Sequence, residues 1–351
     1  MGVNTKRYLD IWTSEKTGAV TREELDLYVM KKLRENVIYA VENSVFYRQM
    51  LDIGAIHEDR DDTFGFMDAF RQLPFTSQDD LREREIDFLC VRPDRISRIV
   101  TLDTGGSTGK PKRIYFTEED QQLTVDYFQN GMQLLTDSSD NVLILMPASA
   151  PGSIGKLLGQ GIINYGAGAV EYGLPGSEAD EYERILDLMC SEGVTSVVAL
   201  PTHMRFLAET AVEKQHIYSK LKLKSVLLSA EYVPDTDVKI IENVFRCRVY
   251  EHYGMTEMGL GCAVGCGMGM GYHLREPDLY IEIIDPATGK VIEDEHPGEI
   301  VFTTLTRKGM PFIRYRTGDI SHWINQPCRC GSILRRIAKV GPRKEIKGYL
   351  K

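Results

Sequence analysis

Residues 103–112 read Asp-Thr-Gly-Gly-Ser-Thr-Gly-Lys-Pro-Lys. This stretch is the most informative part of the sequence for the fold and for the type of ligand. Glycine permits positive φ and lets the backbone approach a ligand closely, so a run of uncovered N–H groups can surround an anion. Ser107 and Thr108 add hydroxyl groups, and Lys110 adds a positive charge. The stretch therefore predicts a loop that binds a polyphosphate.

Two other interpretations of this stretch have to be weighed. A Walker loop is excluded, because Pro111 follows Lys110 where that motif needs Ser or Thr to hold magnesium. An ordinary surface loop is also typical of Gly/Ser/Thr-rich sequence. The magnesium ligand must therefore lie elsewhere in the chain, and other motifs must decide between a binding loop and a surface loop.

Length and charge limit the class of protein. A chain of 351 residues exceeds the roughly 250–300 residues of a single core, so two or more packed subdomains are expected. The net charge of −9 argues against a general nucleic-acid binder. No apolar run reaches about 18 residues, and the polar start lacks a signal h-region. We expect a cytoplasmic protein that binds neither nucleic acid nor membrane.

Two helices are indicated by their start signals. Thr21 and Glu24 form a capping box, and apolar residues then recur at helical spacing. These residues are Leu25, Val29, Leu33, Val37 and Val41. Thr117 precedes three acidic residues, a pattern typical of a helix N-terminus.

The strand pattern predicts two kinds of sheet. Short apolar runs at 142–146, 196–200 and 225–229 alternate with helical segments, which favours parallel α/β units. From Tyr280 the pattern changes to two strand-like runs, the second at 299–303, separated by a Pro-Ala-Thr-Gly turn. We therefore expect an antiparallel region after the α/β part.

Three further motifs follow the glycine-rich stretch in order: Tyr253-Gly-Met-Thr-Glu257, Gly298-Glu-Ile-Val301 and Tyr315-Arg-Thr-Gly-Asp319. Together with residues 104–112 they resemble the core motifs of the adenylate-forming superfamily, which includes acyl-CoA synthetases, peptide-synthetase adenylation domains and luciferases. The Pro311–Asp319 block and the later Pro-Cys-x-Cys-Gly segment are similar to the phenylacetate-CoA ligase branch. The resemblance covers nearly the whole chain.

The resemblance implies an α/β fold, namely the large N-terminal domain of an adenylate-forming enzyme. That domain has two α/β subdomains and a smaller distorted β-barrel region, and the small C-terminal domain is expected to be absent. The expected division is 1–100, a helical and α/β portion; 101–260, the α/β nucleotide-binding core; 261–340, a β-rich subdomain with a metal site; and 341–351, a hinge remnant.

The implied activity is ATP-dependent adenylation of an aromatic or other small carboxylic acid to acyl-AMP and pyrophosphate. In the family a C-terminal domain with a catalytic lysine follows the hinge, whereas this chain stops at Lys351. We therefore expect slow or no acyl-CoA formation by this chain alone, and a separate C-terminal domain or a carrier protein as partner. A homodimer is also considered.

Two alternatives stay open at this point. One is a nucleotide-binding regulatory protein without turnover, and the other is an enzyme that passes its acyl group to a protein or carrier thiol.

By the same resemblance, Ser107, Thr108 and Lys110 would hold the β- and γ-phosphates, Thr256 the α-phosphate, and Glu257 Mg²⁺. Lys110, Thr256 and Glu257 are the expected catalytic residues. The positions expected to bind ATP are Thr104, Gly105, Gly106, Ser107, Thr108, Gly109, Ser229, Ala230, Glu231, Tyr253, Gly254, Met255, Asp319 and Arg343. Tyr253 would lie on the adenine face, residues 229–231 would line the adenine pocket, and Asp319 would accept from the ribose hydroxyls. Arg343 departs from the family pattern, because Pro342 separates it from Gly341; a structural or solvated arginine is an equal alternative.

The seven cysteines favour metal ligation or free thiols over a disulfide framework. Cys328 and Cys330 follow Pro327, and Cys266 stands seven residues before His273. Two thiolates from one segment, with a thiolate and an imidazole from another, would complete a structural tetrahedral Zn²⁺ site. Free buried thiols are the alternative, and Cys262 competes with Cys266 as third ligand.

The acid-binding pocket is less clearly marked. Residues 148–154 and 260–264 occupy stretches that line the acyl site in the resembled family, and their small, apolar character favours a flat aryl acid. His203 could line the same pocket or be a helix-start residue that binds backbone.

Overall fold

The computed structural model describes residues 6–51, 63–102, 110–176, 178, 180–214, 218 and 221–341. The helices are α1 Lys6–Thr17, α2 Arg22–Asn43, α3 Val45–Met50, α4 Thr63–Gln72, α5 Gln78–Arg84, α6 Glu118–Met132, α7 Ile154–Asn164, α8 Glu181–Ser191, α9 Pro201–Glu213 and α10 Asp235–Phe245. Short 3₁₀ turns occupy Glu85–Phe88, Pro93–Arg95 and Thr256–Met258.

The strands are β1 Arg98–Leu102, β2 Lys112–Phe116, β3 Asn141–Leu145, β4 Gly168–Glu171, β5 Ser196–Ala199, β6 Ser225–Leu228, β7 Arg248–Tyr253, β8 Ala263–Val264, β9 Tyr272–Leu274, β10 Leu279–Ile284, β11 Gly298–Thr304, β12 Tyr315–Ser321, β13 Trp323–Ile324 and β14 Arg336–Ile337. They form an antiparallel β1–β2 pair, a sheet of order β10-β11-β12, and a nine-stranded sheet of order β13-β14-β9-β8-β7-β6-β5-β3-β4.

The parallel half of the large sheet confirms the predicted α/β units. Strands β4, β3, β5, β6 and β7 pair in parallel. Alternate residues of β3 enter different cores: Val142 and Ile144 pack with α6 and α7, and Leu143 and Leu145 pack with α8, α9 and α10. Both faces of this sheet are therefore covered, as a parallel sheet requires.

Both predicted helix starts are also confirmed. The Thr21 side chain accepts from the Glu24 N–H while Glu24 binds back, and the five predicted apolar residues of α2 are buried. Thr117 caps α6 in the same way with Asp120 as its partner, rather than through a glutamate.

The antiparallel region has two parts. The predicted strands after Tyr280 pair as β10–β11, and Gly289, with φ +71°, lies in the turn between them. The short strands β8, β9, β13 and β14 instead extend the large sheet beyond β7. One sheet thus continues across residue 260, and the four-part division of the chain stays a prediction. Within the described ranges, no helix combines the length and apolar character needed to cross a membrane.

Candidate active site

A cleft of about 950 Å³ lies where β6 and β7 end. The predicted site residues that line it are Ser229, Ala230, Glu231, Tyr253, Gly254, Met255, Thr256, Glu257 and Asp319. They come from three segments that are far apart in sequence. The carboxyl ends of parallel strands are where open α/β sheets bind ligands, and the segments after β6 and β7 lie at this edge. Asp319 reaches the same cleft from β12 of the antiparallel sheet.

The backbone at this edge is unusual in two places. Ala230, two residues after β6 ends, has φ +70°, a region that residues with a Cβ rarely adopt. Gly254 follows β7, and a Cβ there would lie 2.8 Å from the Leu260 carbonyl oxygen. Only glycine therefore permits the chain segments on either side of the Thr256–Met258 turn to pack this closely.

Glu257 is buried at the cleft and holds a lysine. Its Oε1 accepts from Lys112 Nζ at 2.6 Å and from the Tyr315 hydroxyl at 3.2 Å. No hydrogen bond from a described residue reaches Oε2. The side chains are 12% exposed for Lys112 and 2% for Glu257, so the pair is shielded from bulk water.

Arg307 connects β2 to the Thr256–Met258 turn. Its Nη1 donates to the Glu257 carbonyl and its Nη2 to the Tyr115 carbonyl, both at 2.9 Å. Burial lowers the pKa of Arg307 to about 10, which still leaves it charged at neutral pH. The guanidinium also lies over the Phe116 ring, 4.3 Å from its centroid.

Tyr253 and Asp319 form a second polar pair. The Tyr253 hydroxyl donates to Asp319 Oδ2 at 2.9 Å. Burial and then the neighbouring Asp319 carboxylate raise the pKa of Tyr253 well above its usual range. The hydroxyl therefore stays a donor at physiological pH and fixes the carboxylate at the cleft wall.

Not every predicted residue falls in the described part of the chain. Thr104, Gly105, Gly106, Ser107, Thr108, Gly109 and Arg343 lie outside the described residues. Lys110 lines a neighbouring cavity of about 460 Å³ with Arg82, Arg84 and Arg113. Among these four cations, Arg82 also lines the cleft, so the two spaces adjoin.

Lys112 and His252 line the cleft but were not assigned from the sequence. Lys112 is the last residue of the glycine-rich stretch 103–112, and its position two residues after Lys110 is the sequence signal that could have indicated a second cation at the site. His252 immediately precedes the Tyr253 motif. His203, for which two roles were open, is absent from the lining of the cleft, and its Nδ1 lies 2.9 Å from the Tyr182 hydroxyl.

The four predicted metal ligands do come together. One ligand atom each of Cys266, His273, Cys328 and Cys330 lies within 4.8 Å of all the others, and all four residues are buried. Cys266 Sγ is 3.6 Å from Cys328 Sγ, and Cys330 Sγ is 3.3 Å from His273 Nε2. Cys262 is not part of this group.

A backbone carbonyl group orients the imidazole ring of His273 in this cluster. His273 Nδ1 lies 3.3 Å from the Leu334 carbonyl oxygen, which leaves Nε2 facing the thiols. The hydrogen bond from Cys330 lowers the pKa of the Cys266 thiol, which favours the thiolate form that binds metals. All seven cysteines are free of disulfide bonds.

Comparison with known proteins decides the family. The sequence profile of the AMP-binding enzymes matches residues 74–305, which is more than half of the chain. This chain belongs to the AMP-binding enzyme family. This match confirms the resemblance to the adenylate-forming superfamily. The curated relatives of this AMP-binding enzyme confirm its similarity to the phenylacetate-CoA ligase branch.

Phenylacetate-coenzyme A ligase of Thermus thermophilus is 26% identical over 326 residues, covering 92% of this chain and 70% of the relative. The enzyme of the same name from Pseudomonas putida is 28% identical over 339 residues, covering 92% and 71%. A solved structure of 2-hydroxyisobutyryl-CoA ligase with 2-HIB-AMP and CoA, in the thioesterification state, has a TM-score of 0.79 at 22% identity. It matches 92% of this chain and 68% of that chain, which confirms the predicted fold of the large domain.

Proposed function

We propose that this AMP-binding enzyme adenylates a carboxylic acid with ATP, as a phenylacetate-CoA ligase-like, AMP-forming acid–thiol ligase. The single observation that carries the proposal is the convergence of the 229–231 segment, the Tyr253–Glu257 motif and Asp319 on one cleft. A cleft of about 950 Å³ is at the upper end of the size range of small-molecule sites.

In this proposal the nucleotide is held by several segments. The backbone of residues 229–231 and the Tyr253 ring would enclose the adenine, and Asp319 would accept from the ribose hydroxyls. Asp319 suits that role because Tyr253 already fixes one of its oxygens. Thr256 would bind the α-phosphate, and the 104–110 loop with Lys110 the β- and γ-phosphates.

Glu257 is the residue we propose for Mg²⁺. A carboxylate oxygen is the ligand type that this ion prefers, and Oε2 of Glu257 accepts no hydrogen bond from a described residue. When bound, the ion would neutralise phosphate charge. Lys112, on Oε1 of the same carboxylate, places a second positive charge at the same point of the cleft.

The reaction needs little covalent help from the protein. A carboxylate oxygen of the acid attacks the α-phosphorus of ATP, and the bond from that phosphorus to the oxygen bridging to the β-phosphate breaks. Acyl-AMP and pyrophosphate are the products, and no proton has to move. The task of the side chains is therefore to hold both reactants in line and to stabilise negative charge, which Lys112 can do from the wall of the cleft.

Acid-dependent exchange of labelled pyrophosphate into ATP tests the proposal. Wild-type protein should show exchange with at least one acid of a panel of aryl and short aliphatic acids. Asp319→Ala should weaken ATP binding about tenfold or more, because the ribose hydroxyls then lose their acceptor. Asp94→Ala, at an exposed surface carboxylate, is the matched control. No exchange from a protein that still binds ATP would instead support a nucleotide-binding protein without turnover.

We propose coenzyme A as the acyl acceptor, because the curated relatives are named as coenzyme A ligases. Mass spectrometry of a reaction with acid, ATP and coenzyme A separates acyl-AMP from acyl-CoA. Strong exchange without thioester would direct the search to a carrier or protein thiol.

We also propose that Cys266, His273, Cys328 and Cys330 bind a structural Zn²⁺. The 3.6 Å separation of the Cys266 and Cys328 sulfurs is close to the ~3.8 Å expected of two thiolates on one tetrahedral zinc. Four protein ligands leave no open position, so the ion would stabilise the fold of the glycine-rich 262–271 segment and take no part in the reaction.

A further inference from the structure

Strand β9 carries a proposed zinc ligand and a residue of the cleft wall next to each other. His273 Nε2 lies 3.3 Å from Cys330 Sγ, within the cluster of the four proposed ligands. Its neighbour Tyr272 lines the cleft. Successive side chains of a strand point to opposite faces, so β9 presents the imidazole to the thiols and the Tyr272 ring to the cleft. A displacement of His273 therefore displaces the cleft wall as well.

The Tyr272 hydroxyl is fixed by a carboxylate that also holds Lys339. It donates to Glu251 Oε2 at 2.8 Å, and Lys339 Nζ donates to Glu251 Oε1 at 3.2 Å. Burial and then the Glu251 carboxylate raise the pKa of Tyr272 above its usual range, so the hydroxyl stays a donor. Glu251 belongs to β7, and residues 340–341, which follow Lys339, line the cleft. Glu251 thus joins β9, β7 and the segment after β14 at the edge of the cleft.

A second connection from the ligand cluster to that segment runs through β14. Arg336 is the strand partner of His273. Its Nη1 donates to the Met270 carbonyl oxygen at 2.6 Å, and its Nη2 donates to the Gln326 carbonyl oxygen. These carbonyl groups lie in the two loops that carry the thiols. Because the chain continues from β14 into residues 340–341, the position of Arg336 helps to set the position of this part of the cleft wall.

The charge of Arg336 fits a metal–thiolate cluster beside it. A Cβ on Gly269 would lie 3.0 Å from Cys328 Sγ and 3.2 Å from Arg336 Nη1, so the guanidinium borders the thiol. Arg336 is buried, and among the described residues no carboxylate forms an ion pair with it. Three thiolates and one imidazole around Zn²⁺ carry one net negative charge. That charge would compensate the buried guanidinium, whereas neutral thiols would not.

Little apolar packing holds the chain in place near the thiols. Cys266, Cys328 and Cys330 form a core cluster of their own, separate from both large cores. In the loop that carries Cys266, the side chain of Met270 is 83% exposed. The strands β8, β13 and β14 have two residues each, so their ladders add few hydrogen bonds. A bound ion would therefore contribute much of the local stability of this end of the sheet.

We infer that zinc binding at Cys266, His273, Cys328 and Cys330 positions the wall of the nucleotide cleft. The inference rests on the proposed zinc and nucleotide sites. With zinc bound, β9 and β14 are held so that Tyr272 and residues 340–341 form the wall; without it, nucleotide binding has to order them. Loss of zinc therefore weakens nucleotide binding. Because a coupling between two sites is reciprocal, nucleotide raises the affinity for zinc by the same factor.

The test measures the dissociation constant of AMP by calorimetry, with zinc-loaded protein and with protein depleted by a zinc chelator. AMP is the probe because the triphosphate of ATP would itself bind zinc. Depletion should weaken AMP binding about fivefold or more, while circular dichroism checks that the depleted protein stays folded. In competition with the chelator, saturating AMP should raise the zinc affinity by the same factor.

Two variants separate positioning from general stability. Tyr272→Phe keeps all four zinc ligands and loses only the hydrogen bond to Glu251. It should keep its zinc content and weaken AMP binding about threefold. Val194→Ala is the control, because Val194 is buried in the core beside α8 and α9 and precedes β5, whose other end faces the cleft. It should lower the melting temperature and leave zinc content and AMP binding unchanged.

Unchanged AMP binding after zinc depletion, or in Tyr272→Phe, would overturn the inference and leave both proposed sites intact. Weaker AMP binding in Val194→Ala would also overturn it, because general stability would then explain the effect. Purified protein without zinc would overturn the zinc proposal, and wild-type protein that binds no AMP would overturn the nucleotide site; either result removes the inference as well. Tyr272→Phe decides even if the zinc-free protein unfolds.

Discussion

Replacing Lys112 by methionine should destabilise the protein through Glu257. The lysine and glutamate side chains are 12% and 2% exposed, and their charged atoms are 2.6 Å apart. Removing one partner of a fully buried pair costs about 3–5 kcal/mol, because the remaining charge stays buried without compensation. The Tyr315 hydroxyl still binds Glu257 Oε1 at 3.2 Å, and Lys112 is not fully buried. We therefore expect a loss of about 2–3 kcal/mol in the free energy of unfolding.

A double-mutant cycle measured by urea unfolding isolates the pair. The variants are Lys112→Met, Glu257→Gln and the combination of both. Their coupling energy should be about 2 kcal/mol, with the double variant more stable than the sum of the single losses predicts. Coincident fluorescence and circular dichroism transitions would check that one ΔG describes the unfolding of this large chain.

Lys156 and Glu171 provide the matched control. They form an ion pair of the same chemistry, but their side chains are 48% and 21% exposed. The same cycle there should give a coupling below about 0.5 kcal/mol, because water and salt screen the charges. A coupling below about 0.5 kcal/mol for Lys112 and Glu257 as well would refute the reasoning that this pair is held in a low-dielectric site.

Three further outcomes follow from the same structure. Purified protein should contain about one zinc per chain. Cys330→Ser should lower both the zinc content and the melting temperature, whereas Cys190→Ser, at an exposed cysteine, should change neither. Unchanged zinc content in Cys330→Ser would reject Cys330 as a ligand. Gly261→Ala should cost about 1–3 kcal/mol in unfolding free energy, because a Cβ there would lie 2.2 Å from the Tyr127 ring; an unchanged midpoint in urea would count against the packing described. The depressed pKa of His252, about 4, means that the unfolded chain binds its proton first as pH falls, so stability is full near pH 7 and is lost between about pH 6.5 and 4. Because the ring is partly exposed at the cleft, this residue should contribute about 1 kcal/mol between pH 7 and 5, a slope that His252→Phe should remove from the pH profile of unfolding.

Local signals in the sequence were enough to predict much of the fold. The capping box of Thr21 and Glu24 satisfies backbone groups within one helical turn, so it can be recognised without tertiary information. The apolar runs that form β3, β5 and β6 are buried on both faces of the sheet. Strands buried in this way have continuous apolar sequences, so they can be recognised from composition. The strands β8, β13 and β14 have two residues each, too few for any periodicity, and only pairing with their neighbours defines them.

Residues of the candidate site that belong to a sequence motif could be predicted. Contacts between residues far apart in the sequence could not. Tyr253 and Asp319 were each found by motif, but their hydrogen bond joins residues 66 positions apart. The Lys112–Glu257 contact spans 145 positions, and nothing near Lys112 in the sequence indicates a buried carboxylate. Similarly, the choice between Cys262 and Cys266 depends on which thiol faces His273, a question that only the folded chain answers.

Transfer of oxygen from the acid to AMP tests the central claim most directly. The acid is supplied with both carboxylate oxygens labelled with ¹⁸O, together with ATP, Mg²⁺ and coenzyme A, and the released nucleotide is analysed by mass spectrometry. If the carboxylate attacks the α-phosphorus and the acyl carbon is later attacked by thiol or water, AMP carries one ¹⁸O. Unlabelled AMP, or label in inorganic phosphate with ADP as the nucleotide product, would contradict adenylation at this cleft.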